Sequence, residues 1–555
     1  MKKLLNILGV LTICSSSAMM LVSCENTPKQ KDDNQTENDN KKLDEYNFFD
    51  KSLYQPKDEQ NKFLNNFHVD APDKKGMLND MQGAFFDGTY WHLYFLYNKD
   101  AEYNSNGEQI GKNGTEWYHV QTKDFNTYEY KSLAVKKWND WGDAAGGTLY
   151  LDVDGDFNPD KIKNGRVAIS TAYGGEKGQN IMAYYSSPGN ENGVGNDFGY
   201  NFELLNNGKP ILENGKAEGT YPDFRDPHFF KKDNKFIMYV SELDRFGVYV
   251  SDNPLGEYKK TGEYLAKHAM VECANLFELK VNGDQKNKKY VMIYGGNGNN
   301  TNENPELVDN LGTGTYYAVG HLDSNFVFVE DQPAKRLDFG ADFYAAKFFN
   351  DYKNGDLNDH LIGTGWMSSW DYNRVVPNTG YWGNMSLARE IRLTQNQNGE
   401  YGFEQKFLGQ DSWKKTKSGN NSDLISNKLA GGSYKLDLNF KNVTDSDKYI
   451  LSFSDKKYKT KIEIDLKKNK ITSLRSSNYD TLKQNNGFIQ ERSYNTNFDL
   501  TKDFKISLNV DTTTIEVIMP DGSAISLLKF IDGNSFEQLK LLSTNNNFTF
   551  DYYQK

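Results

Sequence analysis

The chain has 555 residues, a formal net charge of −11, 25% charged residues and 14% aromatics. That length exceeds one small domain, and so much aromatic material excludes global disorder. The acidic balance argues against a nucleic-acid partner, which needs a basic surface, and leaves neutral ligands open.

In chain order, the first feature is a targeting segment. Lys2 and Lys3 precede an uncharged apolar run from Leu4 to Val22, and Leu21-Val22-Ser23-Cys24 resembles a bacterial lipobox. Residues 1–23 are expected to be a lipoprotein signal peptide that is removed. Lipid on Cys24 would then hold the protein at the extracellular face of the cell membrane. Residues 24–60 are polar and charged until Tyr46-Asn47-Phe48-Phe49 and read as a disordered tether. Cys14 and Cys24 lie in these segments, so the folded part keeps a single thiol, Cys273, and no internal disulfide.

From about residue 76 the pattern is β: short aromatic and β-branched runs separated by Gly, Asn and Asp turns. One hairpin pattern recurs, in Ala84–Tyr97, Gly147–Tyr173, His228–Ser241, Asn275–Gly295 and Phe343–Trp370. Strands such as Trp91-His92-Leu93-Tyr94-Phe95 are apolar on both faces, which suits a sheet covered on each side. Units that cannot bury both faces alone must stack, and radial stacking gives a propeller. The expectation is an all-β fold, with a five-bladed β-propeller over residues 61–415. After about residue 420 the segments alternate strictly, as in Ile462-Glu463-Ile464-Asp465-Leu466, so residues 425–555 are expected to form a C-terminal β-sandwich.

Acids stand at equivalent entrances of these repeats: Asn79-Asp80, Arg225-Asp226-Pro227 and Glu272-Cys273. Carboxylates converging from distant segments suit glycoside cleavage, where one attacks the anomeric carbon and another protonates the leaving oxygen. Several motifs stand in order along residues 65–410. Met77-Leu78-Asn79-Asp80-Met81-Gln82-Gly83 looks like WMNDPNG, and Phe224-Arg225-Asp226-Pro227 and Glu272-Cys273 match FRDP and EC. Trp117 to Asp124, Asp338 to Ala345, Gly365-Trp366-Met367 and Met385 to Glu390 follow the later motifs. Together they resemble glycoside hydrolase family 32, the sucrose- and fructan-cleaving β-fructofuranosidases.

The resemblance implies roles. Asp80 would be the nucleophile, Glu272 the general acid and base, and Asp226 the stabiliser of the transition state. Asn79, Gln82, Trp117, Arg225, Asp342 and Trp366 are the expected substrate-binding residues, and Cys273 is expected to tune the neighbouring acid. The sequence departs from the family pattern at Met77, Leu78, Met81 and Gln82, and at Leu96, where the family carries a Gln. The pocket is therefore altered around the fructosyl ring.

No cofactor or metal site is expected. The acidic stretch Asp152 to Asp160 lacks the Gly and Glu positions of a calcium loop, and the seven His show no paired spacing. The expected function is a retaining glycoside hydrolase releasing fructose from sucrose or β-fructans such as levan and inulin at the cell surface. The alternatives are a three-carboxylate hydrolase of arabinose or xylose glycans, and a non-catalytic surface glycan-binding lipoprotein.

Overall fold

The computed structural model describes residues 42–555, except 113, 159, 161, 188–198, 200, 216–220, 298–310, 354 and 427. The expected signal peptide, Cys24 and the first part of the tether lie outside the described residues. Residues Leu43–Lys555 form one compact unit.

A short strand, β1 (Asp44–Asn47), comes first. The first meander is β2 (Gly76–Phe86), β3 (Trp91–Asn98), β4 (Glu116–Thr122) and β5 (Tyr128–Val135). The second is β6 (Gly142–Asp152), β7 (Gly165–Gly174), β8 (Asn180–Ser186) and β9 (Glu203–Leu204). The third is β10 (Arg225–Lys232), β11 (Lys235–Ser241), β12 (Arg245–Ser251) and β13 (Lys259–Leu265). The fourth is β14 (Val271–Val281), β15 (Asp284–Asn297), β16 (Thr313–Leu322) and β17 (Phe328–Arg336). The fifth is β18 (Tyr344–Asn350) and β19 (Leu361–Trp366), then β21 (Arg389–Gln395) and β22 (Tyr401–Phe407); the intervening β20 (Tyr381–Trp382) joins the edge of the first sheet, parallel to β2. The chain ends with β23 (Lys414–Asn420), β24 (Tyr434–Phe440), β25 (Lys448–Ser454), β26 (Tyr458–Asp465), β27 (Lys470–Ser477) and β28 (Arg492–Asn495). These lead into β29 (Phe504–Val510), β30 (Thr514–Ile518), β31 (Ala524–Leu528), β32 (Gln538–Ser543) and β33 (Phe548–Gln554).

The all-β class stands, but the closed five-bladed propeller is corrected. Among the described residues the ladders divide the chain into seven separate sheets, and none closes into a propeller or a barrel. Sequence repetition identifies each hairpin, the first two strands of one meander, but says nothing about closure. The strands are apolar on both faces because each meander is covered by neighbours: all eight residues of β3 are buried.

Two six-stranded sheets, β1-β32-β25-β26-β27-β28 and β23-β33-β24-β29-β30-β31, share one apolar core built on residues such as Leu436, Leu451, Ile462, Leu508 and Phe550. Two of their strands lie outside the expected 425–555 segment. β23 is one, and β1 is the other, pairing with β32 through Tyr46↔Leu541. Phe48 and Phe49 follow β1 into the core, so residues 44–49, expected in the tether, pack with the C-terminal sheets. Two adjacent phenylalanines bury too much apolar surface to stay in a solvated linker.

Candidate active site

All five meanders begin with the same irregularity. The register shifts at Leu78/Met81 in β2, Ala144/Gly147 in β6, Arg225/His228 in β10, Glu272/Asn275 in β14 and Tyr344/Lys347 in β18. Bulges of this kind re-aim side chains and recur beside active sites. Three carry a non-glycine residue at positive φ: Asp226 at 54°, Cys273 at 55° and Ala345 at 46°. Each such residue costs about 1–3 kcal/mol and persists because the surrounding packing fixes it. β10 packs beside β6 and β14, β14 beside β18, and β2 beside β6 and β18. The bulges therefore adjoin one another through packing rather than through a shared ladder.

They bring Asp80, Asp226 and Glu272 into one cluster, close enough for the Glu272 and Asp226 charges to act on Asp80. Arg225 ties it together. Its Nε donates to Glu272 Oε1 at 3.0 Å, its Nη1 to Asp223, and its Nε lies 3.9 Å from Asp226 Oδ2. The Tyr344 hydroxyl donates to Glu272 Oε2 at 2.5 Å. Asp226 is fixed from two sides: its backbone N–H donates to Thr171 Oγ1 at 2.9 Å, and the Cys273 thiol stands 3.8 Å from its Oδ2. A Cβ on Gly146 would stand 2.0 Å from Asp226 Oδ1, so glycine is what lets the carboxylate lie there. Asp80 differs, because its buried Oδ1 accepts no hydrogen bond among the described residues.

The electrostatics follow this geometry. Burial pushes the Asp80 carboxyl up to about 8, reinforced by the negative charges of Glu272 and Asp226. Asp226 is raised to about 6, by burial and then by Glu272, while Arg225 and Lys347 oppose the rise. Burial also pushes the Cys273 thiol far up, so it stays protonated and acts as a weak donor to Asp226. Of Asp80 and Asp226, Asp80 is thus the carboxyl raised further.

Other expected site residues lie elsewhere. Gln82 is fully buried; its Nε2 donates to the Asp80 carbonyl at 2.9 Å and its Oε1 accepts from Gly147 N–H at 2.6 Å. It fastens β2 to β6. Trp117 is fully buried and donates to the Ala145 carbonyl at 2.9 Å, so it is a core residue. Trp366 is also fully buried, its ring 4.8 Å from that of Trp370. Asp342 precedes β18, accepts from Arg475 Nη1 at 2.6 Å and from Leu528 N–H at 2.7 Å, and pairs with Tyr372. It anchors the fifth meander to the C-terminal sheets. Cys273 contacts Asp226 rather than the acid beside it in sequence, because the bulge turns consecutive side chains apart. Asn79 stays with the cluster, buried, with its amide against Asp80. Leu96 lies in the core beside Trp117 and Phe85. Sequence reasoning missed Tyr344, Gly146, Thr171 and Lys347. Tyr344 stands inside a quoted motif, but nothing in the pattern favours it over Asp342. In the acidic turn after β6, Lys231 pairs with Asp154 and Asp156 at 2.8 and 2.7 Å.

Residues 68–402 match the family model "Glycosyl hydrolases family 32 N-terminal domain". A levanbiose-producing levanase of Bacillus subtilis (strain 168) is 28% identical over 477 residues, which cover 83% of this chain and 84% of that protein. A levanbiose-producing levanase of Geobacillus stearothermophilus is 31% identical over 324 residues, 57% of this chain and 73% of its own. Among solved structures, exo-inulinase from Aspergillus awamori superposes with a TM-score of 0.71 at 23% identity, covering 90% of this chain and 98% of that one.

Proposed function

The chain belongs to glycoside hydrolase family 32, and on that footing we propose that it hydrolyses the fructosidic bonds of sucrose and of fructans such as levan and inulin. The relatives named levanase support that substrate class. The observation that carries the reading is the meeting of Asp80, Asp226 and Glu272 at three bulged strand entrances, with Arg225 between the last two.

In this mechanism an Asp80 oxygen attacks the anomeric carbon of the fructosyl unit. The bond to the leaving oxygen breaks as Glu272 delivers a proton to it, leaving a covalent fructosyl-enzyme. Glu272, now a carboxylate, takes a proton from water; the water attacks the same carbon and frees Asp80, so configuration is retained. Asp226 holds ring hydroxyls and stabilises the positive charge that develops on the ring. The reactive form needs one proton, on Glu272 and not on Asp80. Carboxyls this close titrate as a group.

The test is release of free fructose from sucrose, levan and inulin by the full chain in detergent micelles, beside Asp80→Ala and Glu272→Gln. Release by the parent, lowered about 10²–10⁴-fold in Glu272→Gln and abolished in Asp80→Ala, supports the assignment. Release from arabinan or xylan instead, or sugar binding without release, replaces it.

The same proposal places the enzyme at the outer face of the cell membrane, held by lipid on Cys24. Among the described residues no helix is long and apolar enough to cross a membrane. Cys24→Ala should move the activity from the membrane pellet to the medium; an unchanged distribution rules the anchor out.

A further inference from the structure

Lys347 lies in β18, at the downstream end of its bulge. It is 2% exposed, and its Nζ donates to the Ala274 carbonyl at 3.0 Å. Ala274 sits inside the bulge of β14, between Glu272 and Asn275. This single bond thus joins two of the irregular strand entrances. No carboxylate among the described residues lies within ion-pair distance of Nζ. A buried ammonium bonded to a neutral carbonyl is costly unless its charge is used nearby.

The titratable groups facing Lys347 come from three strands: Asp80 on β2, Asp226 and His228 on β10, and Cys273 on β14. Glu272 and Arg225 complete the cluster, bonded to each other. His228 is held neutral, pushed down to about 3 by burial and then by Lys347 itself. The Cys273 thiol is also neutral. The negative charge that Lys347 meets is therefore that of Asp226 and of Asp80 once its proton leaves.

We infer that Lys347 is a positioning residue: a buried cation, fixed by its bond to Ala274, that serves as the standing counter-charge of Asp80 and Asp226 while Arg225 serves Glu272. The division fits the geometry. Arg225 reaches Glu272 at 3.0 Å but Asp226 only at 3.9 Å, and makes no bond to Asp80. A second cation lets the nucleophile ionise without drawing Arg225 away from the acid. This inference rests on the proposed roles of the three carboxylates.

Lys347→Gln removes the charge and keeps an N–H donor, on a side chain one bond shorter, towards the Ala274 carbonyl. The measurement is kcat/KM against pH on a fructan the parent cleaves, with Tm recorded for each variant. Lys347→Gln should fold with a Tm near that of the parent, and its acid limb should move up by about one pH unit, since a nearby cation lowers a carboxyl by that order. The rate lost below the limb, about tenfold, should return at higher pH. Unshifted limbs in Lys347→Gln, with loss confined to Lys347→Met, would make Lys347 a structural hydrogen-bond donor and overturn the inference. If Lys347→Gln is too unstable to assay, the double variant Lys347→Gln/Asp226→Asn decides by stability. Pairing of the charges requires the double variant to be more stable than Lys347→Gln alone; equal or lower stability overturns it. If the parent releases no fructose, or Asp80→Ala keeps its activity, the reading of the three carboxylates has failed. An active parent with unshifted Lys347→Gln limbs defeats only the role of Lys347.

Discussion

At Gly146 the site depends on a missing methyl group. Its Cβ position falls 2.0 Å from Asp226 Oδ1, so Gly146→Ala must turn that carboxylate away from Arg225 and the Cys273 thiol. Activity should fall about 10²-fold, the loss that a small misplacement of a reacting group brings, while circular dichroism and Tm stay near those of the parent. The titration of the carboxyls sets a second expectation. In the proposed mechanism one proton in the cluster is the active state, so kcat/KM should rise with pH as Asp226 ionises near 6 and fall as the last proton leaves near 8. A pH profile with its maximum outside that interval contradicts the assignment of these groups. The three carboxylates were legible in the sequence because each stands at the entrance of a repeat. The residues that support them were not. A glycine facing an oxygen and a tyrosine two positions after Asp342 leave no mark in composition or spacing.

The bulged strand entrance is the element that makes the site, and it also defeats sequence reading there. Alternate residues of a regular strand face opposite sides, so counting by two assigns faces. An extra residue breaks that count, and it does so in β2, β6, β10, β14 and β18 at the positions that matter. The family resemblance implied Gln82 at the substrate, and the bulge holds it between the Asp80 carbonyl and the Gly147 N–H. Cys273 was expected to serve Glu272 and serves Asp226. If Gln82 is a fastener, Gln82→Ala should lower kcat with little change in KM and cost about 1–3 kcal/mol of stability, the penalty for leaving buried polar groups unpaired. A rise in KM alone would return Gln82 to the substrate.

Across the whole molecule, a buried charge network joins the catalytic meanders to the C-terminal sheets. His68 bonds Asp511 through Nδ1 at 2.9 Å and Glu516 through Nε2 at 2.8 Å. Arg389 bonds Asp338 at 2.9 Å and Glu516 at 3.2 Å. Burial alone would lower His68, but the hydrogen bonds to Asp511 and Glu516 prevail and raise it to about 9. A folded value above the unfolded one means the stabilisation is full below about pH 6.5 and is lost as pH rises through about 9. Tm should decline over that window, and His68→Gln should flatten the decline; an equal slope in both proteins contradicts a charged His68. The separation of a repetitive body from an alternating C-terminal part was legible, because burial on both faces or on one leaves different patterns. The contribution of β1 was not, because four residues of mixed polarity show too little periodicity to be read as a strand. Open or closed arrangement of the sheets was not legible either, since it depends on how separate units pack and not on any one unit.

In the proposed mechanism Asp80 attacks the fructosyl carbon while Glu272 handles the proton. The most direct measurement is mass spectrometry of the Glu272→Gln protein after incubation with a fructoside carrying a good leaving group. Such a substrate needs no acid to leave, whereas the step that releases the sugar still needs the base, so the intermediate should accumulate. One fructosyl unit is expected on the peptide that contains Asp80. An adduct on another residue, or turnover of that substrate with no adduct on any peptide, would contradict it.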